Sequence, residues 1–453
     1  MNDYTKHTIC PIPWYHMSIQ QNGDFRVCCQ NIDEPFGKFK KDKTFFLNTQ
    51  YDNWESVRNH EVAKDLRRSM LNGEKHELCN LCWSEEKNNL NSKRIYMNKI
   101  LTNGKTYDIE YIKENTAADG SIDSTKFPIN YFDLRFGNLC NLKCRSCGPN
   151  DSSLWYEDYY KLSGAGEQDK WMWFYGVNKY TISKNGKVFE LKDTSNPEGV
   201  DDFLWYESKN FWDQFESNLP FLERLYLTGG EPTINKAHFK LLELCIEAGI
   251  AHKVHLEYNT NMYAIPPKLY DLWSQFKFID IGCSIDGIND MANYLRPPST
   301  WDVLEKNLDT LGNCNLNNIH AKLSTTVSVY NIFNFLELST WLAQKKYRII
   351  QDMPAFHVLH RPDYMNIQVL PLETKNHVVE VYEKFFEESK HRLDANWGKA
   401  YKKYFTGILN HMFAEDHSNL LPKLKEKTYQ LDNIRNQKLS DIVPWLDTLL
   451  KKY

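Results

Sequence analysis

Three cysteines stand close together in the middle of the chain, at spacings that suit a metal centre. The segment reads Phe136-Gly-Asn-Leu-Cys140-Asn-Leu-Lys-Cys144-Arg-Ser-Cys147 and follows an apolar run that is typical of a β-strand. Cysteine thiolates are the usual ligands of a four-iron cluster, and three ligands leave one iron open to an external molecule. A zinc site without its fourth ligand is the alternative, because the two kinds of ligand overlap. The spacing favours the cluster.

A second set of cysteines lies in the first hundred residues. Twelve residues separate Cys10 from Gly23, four separate Gly23 from Cys28, and Cys79 and Cys82 form a CxxC pair. A glycine between two short strands permits a hairpin turn, so we expect the first two thiols to lie together. The CxxC pair would supply two more. Four thiols complete either one cluster or one structural zinc site, and the ligand types alone do not decide between them.

Of the remaining cysteines, Cys29 adjoins Cys28, and Cys245, Cys283 and Cys314 are scattered. An odd total of 11, tight clusters and no secretory signal argue against a disulfide scaffold and favour metal binding. Cys245 and Cys283 fall in helix and strand patterns, where a small buried hydrophobic residue is the ordinary interpretation. We interpret Cys29 as a spare thiol, although it could replace Cys28 as a ligand.

The composition excludes several classes of protein. A length of 453 residues predicts two or three domains of about 150 residues each. A net charge of −4 gives no bulk electrostatic reason to bind nucleic acid or an anionic membrane. The first residues do not have a secretory pattern, and there is no run of about 18 apolar residues. We therefore expect a soluble, cytoplasmic protein with no nucleic acid or membrane partner.

From about residue 130, strand patterns alternate with helix patterns, which predicts an α/β fold with a parallel sheet or partial barrel. Ligands in such folds bind at the carboxyl ends of the strands. The predicted strands are Tyr131–Phe136, Arg224–Leu227, Lys253–Tyr258, Phe278–Ile285, Ala321–Val329 and Arg348–Met353. The predicted helices are Lys236–Ala248, Pro267–Phe276, Trp301–Leu311 and Asn331–Lys345.

These patterns divide the chain into three parts: a Cys-rich unit at residues 1–100, the alternating unit at 125–365, and a helical C-terminal segment at 366–453. An aromatic-rich insertion at about 155–215 interrupts the second part. It contains a predicted hairpin at Lys179–Lys192 with an Asn185-Gly186 turn. We expect Trp171, Trp173 and Tyr175 to wall a substrate cavity, with packing on the outer helices as the alternative.

The triplet Cys140-x3-Cys144-x2-Cys147 after the first strand resembles the signature of the radical S-adenosylmethionine (SAM) enzymes. Later segments agree in order. Thr228-Gly229-Gly230-Glu231-Pro232 resembles the family's GGE segment, and Asn259-Thr260-Asn261 is similar to its Thr-Asn segment. Ser284-Ile-Asp286-Gly287, followed by Arg296, resembles the Ser-x-Asp-Gly…Arg pattern of the peptide-modifying branch. Each match is weak alone; together they cover about residues 128–360.

The resemblance implies a partial (β/α)6 barrel and a SAM-binding 4Fe–4S cluster on the three cysteines. The family's reduced cluster cleaves SAM to a 5′-deoxyadenosyl radical, which abstracts hydrogen from a substrate. Gly229 and Gly230 would then let the backbone approach the methionine part of SAM, and Glu231 would accept a hydrogen bond from its amino group. Residues 259–261 would lie near the ribose. Ser284 and Arg296, in the pattern that includes Asp286, would contact the carboxylate and ribose.

The N-terminal cysteines resemble the C-x9–15-G-x4-C opening of SPASM and twitch domains, which carry auxiliary iron–sulfur clusters. The resemblance implies one complete auxiliary 4Fe–4S cluster on Cys10, Cys28, Cys79 and Cys82, with zinc as the alternative. In the family this domain usually follows the barrel, whereas here it precedes it. That difference leaves the label open.

Three functions remain in view. The first is a radical SAM enzyme of oxidoreductase type that oxidises or cross-links a peptide or protein, with a reducing partner such as flavodoxin or ferredoxin. The second is radical dehydrogenation or epimerisation of a small molecule, such as a sugar, nucleotide or alcohol. The third is a non-catalytic, zinc-stabilised binding protein, against which the intact cysteine loop argues. The sequence does not identify a catalytic acid or base.

Overall fold

The computed structural model describes residues 7–28, 47–87, 92–103, 108–163, 180–193, 202–389 and 395–453. The strands in these ranges are β1 (His16–Ile19), β2 (Phe25–Arg26), β3 (Tyr131–Arg135), β4 (Tyr180–Asn185), β5 (Val188–Asp193), β6 (Arg224–Thr228), β7 (His255–Thr260), β8 (Phe278–Cys283), β9 (Ile319–Val327) and β10 (Ala355–Val358).

The helices fall into three groups along the chain. The N-terminal group is α1 (Ile12–Tyr15), α2 (Trp54–Arg58), α3 (Glu61–Leu71), α4 (Asn80–Lys87), α5 (Lys93–Asn103) and α6 (Ile109–Asn115). The middle group is α7 (Trp155–Ser163), α8 (Lys209–Asn218), α9 (Lys236–Glu247), α10 (Lys268–Trp273), α11 (Asn289–Leu295), α12 (Trp301–Gly312) and α13 (Phe335–Lys345). The C-terminal group is α14 (Leu372–Ser389), α15 (Ala395–Ala414), α16 (Leu421–Arg435), α17 (Leu439–Ile442) and α18 (Pro444–Leu450).

The central sheet is mixed but mostly parallel, in the order β10-β9-β8-β7-β6-β3-β1-β2. Strands β3 and β6 to β10 lie side by side in chain order and are all parallel. Right-handed crossovers that always step in one direction place their helices on the same face. This confirms the α/β class. Closure into a partial (β/α)6 barrel stays a prediction.

One face of the sheet is apolar and the other is polar. Along β9 buried and less buried residues alternate, so that Leu323 and Thr325 face one side and Lys322 and Thr326 the other. A parallel sheet covered by helices on both faces would have nearly continuous apolar strands. The polar face carries linked side chains, such as the hydrogen bond of 2.6 Å from the Asn259 amide to the Tyr226 hydroxyl. This face therefore presents hydrogen-bonding groups, whereas the opposite face packs in the core.

The N-terminal hairpin extends the central sheet. Strand β1 runs parallel to β3 with His16 opposite Tyr131, and β2 pairs antiparallel with β1 at the edge. Gly23 connects the two strands with a φ of 81°, a left-handed conformation that glycine adopts without strain. The Cys-rich unit therefore shares the sheet and its apolar core with the alternating unit. The domain boundary at residue 100 stays a prediction.

Two local predictions are wrong. The sixth strand is at Ala355–Val358, whereas the predicted run contributes only an isolated bridge between Ile350 and Ala321. Ile350 is buried, which explains the apolar run without a strand. In the hairpin, Asn185 pairs with Val188, so the two-residue turn is Gly186-Lys187 and not Asn185-Gly186.

The C-terminal segment is helical where it is described, and it forms a second apolar core. This core joins α14, α15, α16 and α18 to α11 and to the region after β9. Within the described ranges, no helix is both long enough and apolar enough to cross a membrane.

Candidate metal centre

Cys140, Cys144 and Cys147 lie on one loop at the carboxyl edge of the sheet, after β3. The Cys144 and Cys147 side chains share a hydrogen bond, and negative charge on Cys144 raises the pKa of Cys140. The loop is tightly turned: the backbone N–H of Leu142 donates to the Cys140 sulfur at 3.4 Å, and the N–H of Cys147 donates to the Cys144 carbonyl at 3.1 Å.

The three thiols differ in acidity. The hydrogen bond from the Cys147 thiol lowers the pKa of Cys144 to about 7, although burial opposes this shift. Arg296 adds to it, because its Nη1 lies 3.6 Å from the Cys144 sulfur. Burial raises the pKa of Cys140 to about 12 and also raises that of Cys147, which in addition loses acidity as the donor to Cys144. Cys144 is therefore the thiol most ready to act as a thiolate ligand.

Backbone contacts fix the loop from two sides. The N–H of Lys143 donates to the Pro297 carbonyl at 2.7 Å, and the N–H of Arg145 donates to the Leu295 carbonyl at 2.8 Å. From the insertion, the Trp155 indole N–H donates to the Cys144 carbonyl at 3.0 Å. The loop thus has a fixed path although it contains no helix or strand.

Glu231 ties the loops after β6 and β7 together. Its side chain is 2% exposed, and Oε1 accepts hydrogen bonds from the Thr233 N–H and hydroxyl and from the Thr260 hydroxyl. Oε2 accepts from the Asn261 N–H at 2.7 Å. Burial raises the pKa of Glu231, and these donors oppose that shift. The expected bond to the amino group of SAM stays a prediction, and only Oε2 has acceptor capacity left for it.

The structure shows why glycine is required at positions 229 and 230, which the sequence alone did not indicate. A Cβ on Gly230 would lie 2.1 Å from the carbonyl oxygen of Leu139, and a Cβ on Gly229 would lie 3.0 Å from the Cα of Arg135. Gly229 also has a φ of 119°. The N–H of Glu231 donates to that same Leu139 oxygen at 2.8 Å. Both glycines let this segment pack closely against the cysteine loop, independently of any contact with SAM.

The residues expected near the ribose are divided. The Asn261 amide donates to Asn141 at 2.7 Å and lies 3.7 Å from the Cys140 sulfur, at the cysteine loop itself. Thr260 is buried under Glu231. Asn259 is exposed on the polar face. Of the three, Asn259 is the most accessible to a ligand and Asn261 the closest to the thiols.

Arg296 bridges Asp286 and the cysteine loop. Its Nε and Nη2 donate to Asp286 Oδ2 at 2.8 and 2.7 Å, while Asp286 Oδ1 accepts from the Thr326 N–H at 2.8 Å. Ser284 is half-buried after β8, and its N–H donates to the Thr260 carbonyl at 2.8 Å. The roles of these side chains towards SAM stay predictions.

Two ion pairs that the sequence patterns did not indicate connect the C-terminal helices to the cysteine loop and to α7. Arg145 pairs with Asp432, 287 positions away, and Arg435 pairs with Asp158, 277 positions away. Periodicity and local motifs report only on near neighbours in sequence, so no signal in the sequence indicated these pairs.

The four N-terminal cysteines also come together. Cys10, Cys28, Cys79 and Cys82 line one cavity of about 30 Å³, with apolar side chains that include Leu66 and Met70 of α3. Burial raises the pKa of Cys79 to about 12 and raises that of Cys10 further. Cys29 lies outside the described residues. All four described cysteines thus line one cavity, and the pairing that the hairpin and the CxxC turn predict stays a prediction.

Both sites fit a metal cluster by their donor chemistry, since each presents only thiols. In the part of the chain that the structure describes, no three His, Cys, Asp or Glu side chains are arranged so that they could hold a metal ion. Both ligand sets therefore stay predictions.

The described parts of the insertion contact the cysteine loop and the sheet. Trp155 of α7 holds the loop, as noted above, and Trp205 stacks on Phe136 with ring centroids 5.4 Å apart. Trp171, Trp173 and Tyr175 lie outside the described residues, so their predicted place in a cavity wall is untested.

Comparisons with known proteins do not show a family for this chain. No protein-family model matches the chain, and no curated protein does. Among solved structures, native anSMEcpe with bound AdoMet is 16% identical over 58% of this chain and 62% of its own length, with a TM-score of 0.37. Streptococcus suis SuiB bound to S-adenosylmethionine is 15% identical over 77% and 67%, with a TM-score of 0.34. SuiB bound to precursor peptide SuiA is 12% identical over 76% and 67%, with a TM-score of 0.33. Similarity at this level carries no argument about function.

Proposed function

We propose that this chain is a radical SAM enzyme whose reactive cluster is held by Cys140, Cys144 and Cys147. The observation that carries the proposal is the position of the loop that bears these cysteines: it lies at the carboxyl edge of the sheet, next to the loops that bear Glu231, Asn261 and Arg296. Those loops are the ones whose motifs resemble the SAM-contacting segments of the family.

A 4Fe–4S cluster on three cysteines would supply an electron to SAM bound at its open iron, which yields methionine and a 5′-deoxyadenosyl radical. The chain's own residues would hold and orient the reactants. Arg296 places a cation beside the thiol sulfurs, where it can attract a carboxylate. Asn261 reaches the Cys140 sulfur from the opposite loop, so a ligand between the two is held from both sides.

We propose a peptide or protein as the substrate. The support is the Ser284–Arg296 pattern, which resembles the peptide-modifying branch, and the polar face of the sheet, which offers hydrogen-bonding groups such as the exposed Asn259. A small polar molecule is the alternative for the same face.

We further propose that Cys10, Cys28, Cys79 and Cys82 hold an auxiliary cluster of the twitch kind. Four thiols around one cavity would complete its coordination and leave no open iron. Arg94 lies in the same cavity wall, where its Nη2 pairs with Glu86 at 2.6 Å and its charge favours thiolate at Cys10. A structural zinc is the alternative occupant.

The test of the main proposal is SAM cleavage. Anaerobically reconstituted protein under strong reduction should form 5′-deoxyadenosine, and the Cys140→Ala/Cys144→Ala/Cys147→Ala variant should form none. The Cys314→Ala variant, which removes a half-buried thiol far from the loop in sequence, is the control and should behave as the wild type. Cleavage that survives in the triple variant would refute the proposal.

A further inference from the structure

We infer that helix α16 of the C-terminal segment is part of the reactive site: it locks the cysteine loop in place and supplies Arg435 as a buried donor to the group that the loop binds. The first half of this inference stands on contacts within the chain. The second half rests on the proposed function, since it needs a cluster on Cys140, Cys144 and Cys147.

Asp432 is the point at which α16 holds the loop. Its Oδ1 accepts hydrogen bonds from the guanidinium of Arg145, which lies between Cys144 and Cys147, and from the Tyr294 hydroxyl at 3.0 Å. Its Oδ2 accepts from the Leu439 N–H at 2.7 Å. One buried carboxylate therefore joins the cysteine loop, α11 and α17.

Arg145 is held equally firmly. Its Nε donates to the Tyr294 carbonyl at 3.0 Å and its Nη2 to Gln437 at 2.9 Å, and its guanidinium lies 3.6 Å from the centroid of the Tyr294 ring. Its side chain is 1% exposed. A buried charge is costly unless it is paired, so this arginine fixes the loop to α16 in a single arrangement.

A second buried pair lies on the other side of the loop. Arg435 Nε donates to Asp158 Oδ2 at 2.7 Å, and each of the two side chains is 2% exposed. Asp158 Oδ1 accepts from Lys143 of the cysteine loop at 2.9 Å. The guanidinium of Arg435 also lies 4.5 Å from the centroid of the Trp155 ring, and that indole holds the Cys144 carbonyl.

Arg435 has donor capacity that the described residues do not use. Its Nη1 and Nη2 are buried, and neither has a hydrogen-bond partner among the described residues. Its guanidinium lies against the Trp155 indole, and the N–H of that indole donates to the Cys144 carbonyl, so these donors lie beside the cysteine loop. Buried donors without partners are rare in folded proteins and call for an explanation. An anionic cluster held by Cys144 would provide the missing acceptors.

The consequence is electrostatic as well as structural. Arg435 places a buried positive charge against the indole that holds the loop, and Arg296 places another 3.6 Å from the Cys144 sulfur. The reduction potential of an iron–sulfur cluster depends on net charge and on hydrogen bonds to its sulfurs. Without Arg435, Asp158 would keep Lys143 as its cation among the described residues. The net charge beside the cluster would then be more negative, which disfavours the addition of an electron to the cluster.

The loop-locking half is tested in the full-length apoprotein, by the rate at which iodoacetamide alkylates each cysteine, followed by mass spectrometry. In Asp432→Asn, Arg145 loses its charged partner, and alkylation of Cys144 and Cys147 should rise about tenfold or more. Cys10 and Cys79 should stay at the wild-type rate. This readout needs neither a cluster nor activity.

The donor half is tested by redox titration of the reconstituted protein, monitored by electron paramagnetic resonance. Arg435→Gln should make the midpoint potential of the loop cluster more negative, and Arg435→Lys, which keeps the charge, should lie closer to the wild type. Asp447→Asn is the matched control for Asp432→Asn. Asp447 is a buried carboxylate of the same segment, and it accepts a hydrogen bond from a tyrosine hydroxyl without touching the loop.

Wild-type alkylation of Cys144 and Cys147 in Asp432→Asn, or a wild-type potential in Arg435→Gln, would overturn the inference. An equal rise in alkylation at both cysteine sites would also overturn it, since that pattern means general destabilisation. If the wild type cleaves no SAM while Asp432→Asn still exposes Cys144 selectively, the proposed function fails and the locking role stands.

Discussion

The two cysteine sites of this chain place the same side chain in different surroundings. At the 140–147 loop, Arg296 lies 3.6 Å from the Cys144 sulfur, and Arg435 lies against the indole that holds the Cys144 carbonyl. At the N-terminal site, the thiols line a cavity among apolar side chains, with Arg94 paired to Glu86 in its wall. The pKa of Cys144 is lowered, whereas the pKa values of Cys140 and Cys147 in the same loop and of Cys10 and Cys79 at the N-terminal site are raised.

This difference suits the two different tasks that we propose for the sites. A site that exchanges electrons and binds a charged ligand needs charges that are already in place, because preorganised dipoles and ions cost nothing to reorient during the reaction. A site that only completes a coordination shell needs four thiols at fixed positions. The comparison predicts that the loop site fails when its neighbours move, and that the N-terminal site fails when its scaffold is loosened.

The largest effect is expected from Gly230→Ala. The new Cβ would overlap the carbonyl oxygen of Leu139, which is backbone and cannot rotate away, so the cysteine loop must move. We expect SAM cleavage to fall at least about a hundredfold, which corresponds to about 2.8 kcal/mol of lost transition-state stabilisation. The measurement is the rate of 5′-deoxyadenosine formation.

Gly148→Ala is the matched control for this prediction. It adds the same methyl group directly after Cys147, where an added Cβ has no atom within 4 Å in the described structure. It should cleave SAM at close to the wild-type rate. If Gly230→Ala is as active as Gly148→Ala, the close approach of the two segments does not support the site.

A different effect, on stability and confined to the N-terminal site, is expected from Arg67→Met. Arg67 is fully buried on α3, and it donates to the carbonyls of Gly120, Pro13 and Arg58 at 2.7, 3.0 and 2.8 Å. The variant leaves three buried acceptors without this donor, which should lower the free energy of unfolding by about 3 kcal/mol. Urea denaturation measures that loss.

Alkylation of single cysteines shows whether the loss is local. In Arg67→Met, Cys10 and Cys79 should react faster, while Cys144 should not change. Arg68→Met is the control, because Arg68 is its half-exposed neighbour and should contribute less than about 1 kcal/mol. Faster alkylation of Cys144 in Arg67→Met would contradict the independence of the two sites.

The sequence predicted what local patterns encode. The strands that begin at Tyr131, Arg224 and Phe278 start at the predicted residues, because apolar runs followed by glycine and polar residues mark a strand and its end. The prediction failed at Ile350, where burial alone accounts for the apolar run and the strand begins only after Pro354.

Long-range pairing could not be predicted. The parallel pairing of β1 with β3 joins residues more than a hundred positions apart, and the pattern of a single sequence does not indicate such a pairing. The same limit hid Asp432 and Arg435, whose partners lie in the cysteine loop and in α7. Gly230 was identified, but the reason for it, its approach to Leu139, needed coordinates.

The central claim is that the 140–147 loop is the open site that binds SAM and the N-terminal site is closed. The most direct measurement is the electron paramagnetic resonance spectrum of the reduced, reconstituted protein with and without SAM, in two variants. One lacks Cys140, Cys144 and Cys147; the other lacks Cys10, Cys28, Cys79 and Cys82. The account predicts that SAM changes the spectrum only where the loop cysteines remain. A SAM-dependent change in the variant without them would contradict it.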